Sequence, residues 1–207
     1  MWEFLKQLTD PESIISYGGL ALLLFVVFAE TGLLVGFFLP GDSLIFISGL
    51  ICRTKPGLLH TNIFLLLLLL VAAAVLGNMA GYWFGWKVGP PLFRRPDSLI
   101  FKKRYLDTTK AFYEKNGGKT LVFGRFLPII RTFAPILAGI IKVPFPQFMV
   151  YNVAGAIAWI GSLGLAGYYL GQILWVQDNI GWIVIFLIVI TLIPVTTAWL
   201  RGKRTQQ

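Results

Sequence analysis

Three uncharged runs constrain what this chain can fold into: Ile63–Trp86, Val143–Gln177 and Asn179–Leu200. Each exceeds the roughly 20 residues a helix needs to cross a bilayer. Only 13% of the 207 residues are charged and 57% are hydrophobic, whereas soluble domains carry about a quarter charged residues. The expected fold is therefore an all-α integral membrane protein, one membrane domain over 1–207, with little mass outside the lipid.

Several function classes recede on composition. A single cysteine, Cys52, allows no internal disulfide. With only His60 beside it, the chain has no His/Cys metal set, so neither metal nor cofactor is expected. Lipid phosphatase chemistry usually wants a histidine nucleophile and a histidine acid, and His60 is alone in an expected outer loop. The chain is read as a non-enzyme. Glu3, Asp10 and Glu12 replace the basic region of a signal peptide, and Asp10-Pro11 reads as a helix start.

The net charge of +9 is concentrated. Residues 87–119 hold nine basic side chains, and Arg201, Lys203 and Arg204 follow the last run. Basic loops beside spans mark the cytoplasmic face and suit an anionic leaflet. They do not call for nucleic acid. Within this loop Tyr105, Leu106, Thr109, Phe112 and Tyr113 share one helical face, as for a helix lying at the interface.

The same charge rule orders the chain. If Thr120–Ile141 crossed fully, the basic tail would end outside. If it dips in and returns, the tail ends inside. Pro128 then divides it into two legs of about ten residues, each half a bilayer long. Thr31–Cys52 breaks likewise at Pro40-Gly41-Asp42. The expected topology has four spans (about 12–30, 63–87, 148–174 and 179–200) and two re-entrant helical hairpins (31–52 and 120–141). The basic loop and both termini are cytoplasmic, with Arg53–His60 outside. Pro40, Gly41 and Pro128 are the expected hairpin tips, since proline breaks the helical ladder and glycine permits the turn.

The two halves echo each other. GFFLP at Gly36 returns as GRFLP at Gly124, 88 residues on, and AGYWFG returns as AGYYLG, with Gly81 and Gly167 86 residues apart. Chance recurrence in biased sequence is the bland reading. A duplicated hairpin-plus-span, inserted once from each side, is the other, and inverted repeats with broken helices mark transporters. Gly77, Gly81, Gly85 and Gly89 recur every four residues, and Gly155, Gly164, Gly167 and Gly171 repeat this more loosely. Both runs read as close-packing faces.

Four ionisable residues lie within the apolar segments: Glu30, Asp42, Arg125 and Arg131. Unpaired and at depth they would cost about 10–14 kcal/mol together on insertion scales. They belong in protein or a wet cavity, either as an ion-pair network locking the hairpins or as a site. Two arginines can grip a phosphate, and two carboxylates at depth are candidate proton carriers because desolvation disfavours the charged form. Asn78 and Asn152 read as interhelical hydrogen bonds.

Glu30, the FLPGD at Pro40-Gly41-Asp42, the GRFLPIIR with Arg125 and Arg131, the following Ala138-Gly139 and AGYWFG together resemble the DedA family of bacterial inner-membrane proteins. That family is a prokaryotic branch of a superfamily that includes eukaryotic lipid scramblases. The resemblance covers about residues 15–175. It implies opposed re-entrant hairpins, dependence on protons or membrane potential, and movement of lipid. Some members are associated with recycling undecaprenyl phosphate. By this resemblance Arg125 and Arg131 would bind the substrate phosphate, and Glu30 and Asp42 would carry protons. The expected partners are a polyprenyl phosphate or phospholipid and protons. A non-coupled phospholipid scramblase and a purely structural membrane protein stay open beside the coupled translocase.

Overall fold

The computed structural model describes residues 11–33, 41–93, 122, 125 and 128–183. Regular structure among them is helical: α1 Pro11–Gly32, α2 Gly41–Thr54, α3 Pro56–Leu59, α4 Ile63–Phe93, α5 Pro128–Ile140, α6 Phe145–Leu170 and α7 Leu174–Asp178. Pro40, the basic segment from 94 to 119 and everything beyond 183, including most of the expected last span, lie outside the described residues.

Among the described residues two helices are long and apolar enough to cross a membrane: α4 over its 27 residues Ile63–Gly89, and α6 over 26. At 1.5 Å per residue each spans about 40 Å. Both present bulky apolar side chains outward, among them Phe64, Leu68, Leu76, Val150 and Ile157. That is costly in water and natural in lipid.

Three helices differ in their limits from the approximate spans expected. α1 is not one straight crossing over 12–30: it breaks at Gly19, where φ is 55° and ψ −150°. Only glycine adopts that conformation without strain, so the Gly18-Gly19 pair supplies a kink. Its continuous apolar part, Gly18–Gly32, is about 22 Å long. α4 continues past residue 87 to Phe93. α6 starts at Phe145 rather than 148, because Pro144 and the early-turn Pro146 favour a helix start there. It ends at Leu170 with Gly171 as its cap, so residues to 174 do not extend it.

Each expected hairpin contributes one described helix. α2 has 14 residues and α5 has 13, about 20 Å each, short of a full hydrocarbon core. α2 is wrapped by protein: its side chains from Ser43 to Cys52 are all buried. Around it Leu23, Val27, Leu66, Leu70 and Ile160 close the main core. A smaller core at the other end holds Tyr82, Ala138, Val143 and Phe148, and the Tyr82 hydroxyl donates to the Val143 carbonyl at 2.7 Å.

The packing is crossed. α2, from the first half, lies along α6; α5, from the second half, lies along α4; α1 also packs on α4. Both glycine runs make this possible. A side chain at Gly85 would overlap the Ile136 carbonyl of α5, and one at Gly89 would press on the Ile140 backbone. A side chain at Gly167 would overlap the Phe46 carbonyl of α2. Helix association in lipid depends on such close backbone approach.

A Gly167→Val change should therefore push α2 off α6 and cost about 1–3 kcal/mol. Gly161→Val on the same helix faces open space and serves as the control. Thermal unfolding of the two purified variants in one detergent checks this: a clear drop for the first and little change for the second is expected.

Candidate functional site

The site is assembled where α2 and α5 begin. Asp42 is the second residue of α2, Arg131 the fourth of α5, and Glu30 stands in the last turn of α1. Helix N-termini carry orphan N–H groups and partial positive charge, and here two of them open onto the same buried charges.

Arg131 is the hub. Its Nη2 donates to Glu30 Oε1, and its Nη1 donates to Asp42 Oδ1 at 2.6 Å. A planar fork with two heads can engage two carboxylates at once, so both acids end on a single arginine. The side chains of Arg131 and Glu30 are almost fully buried, while Asp42 keeps 16% of its surface. Trp159 of α6 completes the assembly in two ways. Its ring lies under the Arg131 guanidinium, 4.4 Å from centroid to Cζ, a cation–π arrangement. Its indole N–H donates to Asp42 Oδ1 at 2.9 Å. Elements α1, α2, α5 and α6 are thus tied through one guanidinium.

Arg125, just before α5, is equally buried at 2% exposure but differently partnered. Its Nη2 donates to the Asn152 backbone carbonyl at 3.0 Å and to the Asn152 side-chain oxygen. With the Asn78 amide oxygen turned toward it, Nη2 also meets that oxygen at 2.6 Å, and the Asn78 nitrogen donates to the Thr31 carbonyl at 3.0 Å. Among the described residues no carboxylate pairs with Arg125, and its Nε and Nη1 have no hydrogen-bond partner. Glu30 Oε2 and Arg131 Nε are likewise unpartnered there.

Two glycines make room. A side chain at Gly41 would coincide with the Glu30 carboxylate, and one at Gly155 would sit 2.9 Å from Arg125 Cδ. Gly41 thus has a use beyond a turn: it admits Glu30 to the start of α2. Pro128 is the first residue of α5, where a proline costs no helical bond; Pro40 is outside the described residues.

The structure brings Glu30, Asp42 and Arg131 into one contact and sets Arg125 on Asn152 beside them. Asn78 and Asn152 approach to 3.0 Å across α4 and α6: Asn78 Nδ2 donates to Asn152 Oδ1 in one setting of its amide, and the turned setting that reaches Arg125 and Thr31 gives that bond up. Their second role, holding Arg125, was missed by sequence reasoning. So was Trp159, while Gly155, read as part of a close-packing face, packs against Arg125 itself. The signal for Trp159 was present: it is a tryptophan in the middle of an uncharged run rather than at its end, where membrane-interface belts lie. Among the described residues no group of three or more His, Cys, Asp or Glu side chains could hold a metal.

Comparison with known proteins now bears on this arrangement. Residues 39–169 match the VTT domain. The chain is 41% identical over 184 residues to Protein DedA of Escherichia coli K12, covering 89% of this chain and 83% of the relative. It is 37% identical to an uncharacterised membrane protein of Mycobacterium leprae, over 95% and 86% of the two chains. It is 30% identical to Inner membrane protein YghB of Escherichia coli K12, over 98% and 90%. No solved structure matches it. With a family domain across most of its length and relatives matched nearly end to end, the chain belongs to the DedA family of membrane proteins.

Proposed function

We propose that this protein is a translocase that moves undecaprenyl phosphate or a related anionic lipid across the bacterial inner membrane, coupled to protons or membrane potential. The observation that carries the reading is the buried cluster itself: four ionisable side chains at the starts of two short helices, with guanidinium donors on Arg125 unspent. A scaffold would be held more cheaply by apolar packing. Irregular backbone at membrane depth is tolerated where it lines a cavity or is buried in protein.

In this reading the segments 31–52 and 120–141 are opposed hairpins of an inverted repeat, and both termini are cytoplasmic. The Asp42–Arg131 bond at 2.6 Å joins the starts of α2 and α5, as facing tips require. The crossed packing of α2 on α6 and α5 on α4 is what a two-fold exchange between halves produces. Aromatic groups support the membrane placement. Tyr82, Trp83, Trp86 and Phe145 cluster at one end of the long helices. At the other, the Arg53 guanidinium lies 5.4 Å over Tyr168, next to Tyr169. Belts at both interfaces are the usual pattern.

The charges suggest the coupling. Glu30, Asp42, Arg125 and Arg131 sum to zero. Adding a phosphate anion to a neutral buried cluster is costly unless a positive charge accompanies it. A proton taken by Glu30 or Asp42 restores neutrality and loosens that carboxylate's hold on Arg131, freeing a second guanidinium for the phosphate. Lipid movement and proton movement then share one site.

The direct test is flipping of labelled undecaprenyl phosphate against labelled phosphatidylethanolamine in vesicles of the purified protein, with and without a pH gradient. Preferential movement of the phosphate lipid, enhanced by the gradient, is expected. Equal movement of both lipids regardless of the gradient would instead identify a non-coupled scramblase. The Glu30→Gln/Asp42→Asn variant should keep lipid binding and lose the pH dependence of flipping.

Orientation is tested separately by cysteine labelling. Cysteines placed at 55 and at 103 should react from opposite sides of the membrane. Labelling of both from one side would refute the topology and the inverted repeat with it.

A further inference from the structure

The two arginines occupy different electrostatic states. Arg131 has each head on a carboxylate and its face on Trp159. Arg125, six residues earlier, uses only Nη2, and only on neutral amide oxygens from Asn152 and Asn78. Of the five N–H donors on a guanidinium, those on Nε and Nη1 are unspent among the described residues, although the side chain is 2% exposed. A buried cation and its donors both cost free energy when left without a counter-charge. Gly155 leaves the room that the Arg125 side chain itself fills, with Cδ and Nε packed against the glycine.

We infer that Arg125, framed by Asn152 and Asn78, is the resident anion subsite and takes one phosphate-class group, while Arg131 is held in reserve by Glu30 and Asp42. This deepens the translocase reading and rests on it for the source of the anion. The amides are suited to the task. They orient the guanidinium through Nη2 without neutralising it, so the charge stays available to a ligand. A carboxylate at either position would neutralise it, as Glu30 and Asp42 neutralise Arg131. The phosphate can come from a lipid headgroup or from free phosphate, since both offer the same oxygens.

The experiment measures binding, not transport. The full-length purified protein in phosphatidylcholine nanodiscs is titrated with inorganic phosphate in one arm. In the other arm it is titrated with undecaprenyl phosphate. Arg125→Gln should weaken binding of whichever probe the wild type takes by tenfold or more, a loss typical of a charge-assisted contact. Asn152→Asp is nearly isosteric and places a carboxylate on Arg125, at the loss of the amide's bond to the Val75 carbonyl; with its folding checked by thermal unfolding, it should lose binding to the same extent. Arg53→Gln, at an arginine outside the cluster that lies over Tyr168, should change affinity less than threefold. Binding in the lipid arm alone assigns the subsite to a headgroup, and binding of inorganic phosphate assigns it to free phosphate; either supports the subsite. Wild-type affinity in folded Arg125→Gln or Asn152→Asp, an equal loss in Arg53→Gln, or no binding of either probe overturns it. Vesicles that fail to flip lipid while Arg125-dependent binding persists would sink the translocase reading and leave the subsite standing.

Discussion

One guanidinium organises the polar interior of this protein. Arg131 reaches from the start of α5 to Glu30 on α1 and Asp42 on α2, over the ring of Trp159 on α6. Its surroundings answer the cost of burying such a group away from water. Removing one partner of a buried pair typically costs about 3–5 kcal/mol because the other is stranded. The helices that carry these residues are therefore held in register with one another. The glycine faces on α4 and α6 then let the backbones approach closely enough for the bonds to form.

The apolar parts of the molecule serve this centre in a simple division. The two long helices meet lipid on one side and receive a short helix on the other. The short helices, about 20 Å each, begin at one buried charge cluster, so their N-termini and the charges beside them face each other.

Much of this was legible in the chain. Uncharged runs announce spans because lipid offers no partner to a charge. FLPGD and GRFLPIIR announce interruptions because proline removes a helical bond, and α5 indeed begins at Pro128. Glu30, Asp42 and Arg131 stand out against apolar neighbours. What the chain did not disclose is who pairs with whom. The sum of charges permits Arg125 to pair with an acid, yet both acids are taken by Arg131 because that side chain points from the first turn of α5 between α1 and α2. Trp159 looked like an ordinary residue of a membrane helix, and Gly155 was legible as a packing position but not as the one that receives Arg125, since both roles arise only when α2 and Arg125 are laid against α6. The break at Gly19 and the end of α6 at Leu170 were also not read from the sequence, since both fall inside stretches without charge.

The central claim is that the two arginines are inequivalent, one locked and one open. Double-mutant cycles on thermal stability test it most directly, pairing Glu30→Gln first with Arg131→Gln and then with Arg125→Gln. The account predicts a coupling above about 1 kcal/mol for Glu30 with Arg131, and additivity within about 0.5 kcal/mol for Glu30 with Arg125. Equal coupling to both arginines, or stronger coupling to Arg125, would contradict it.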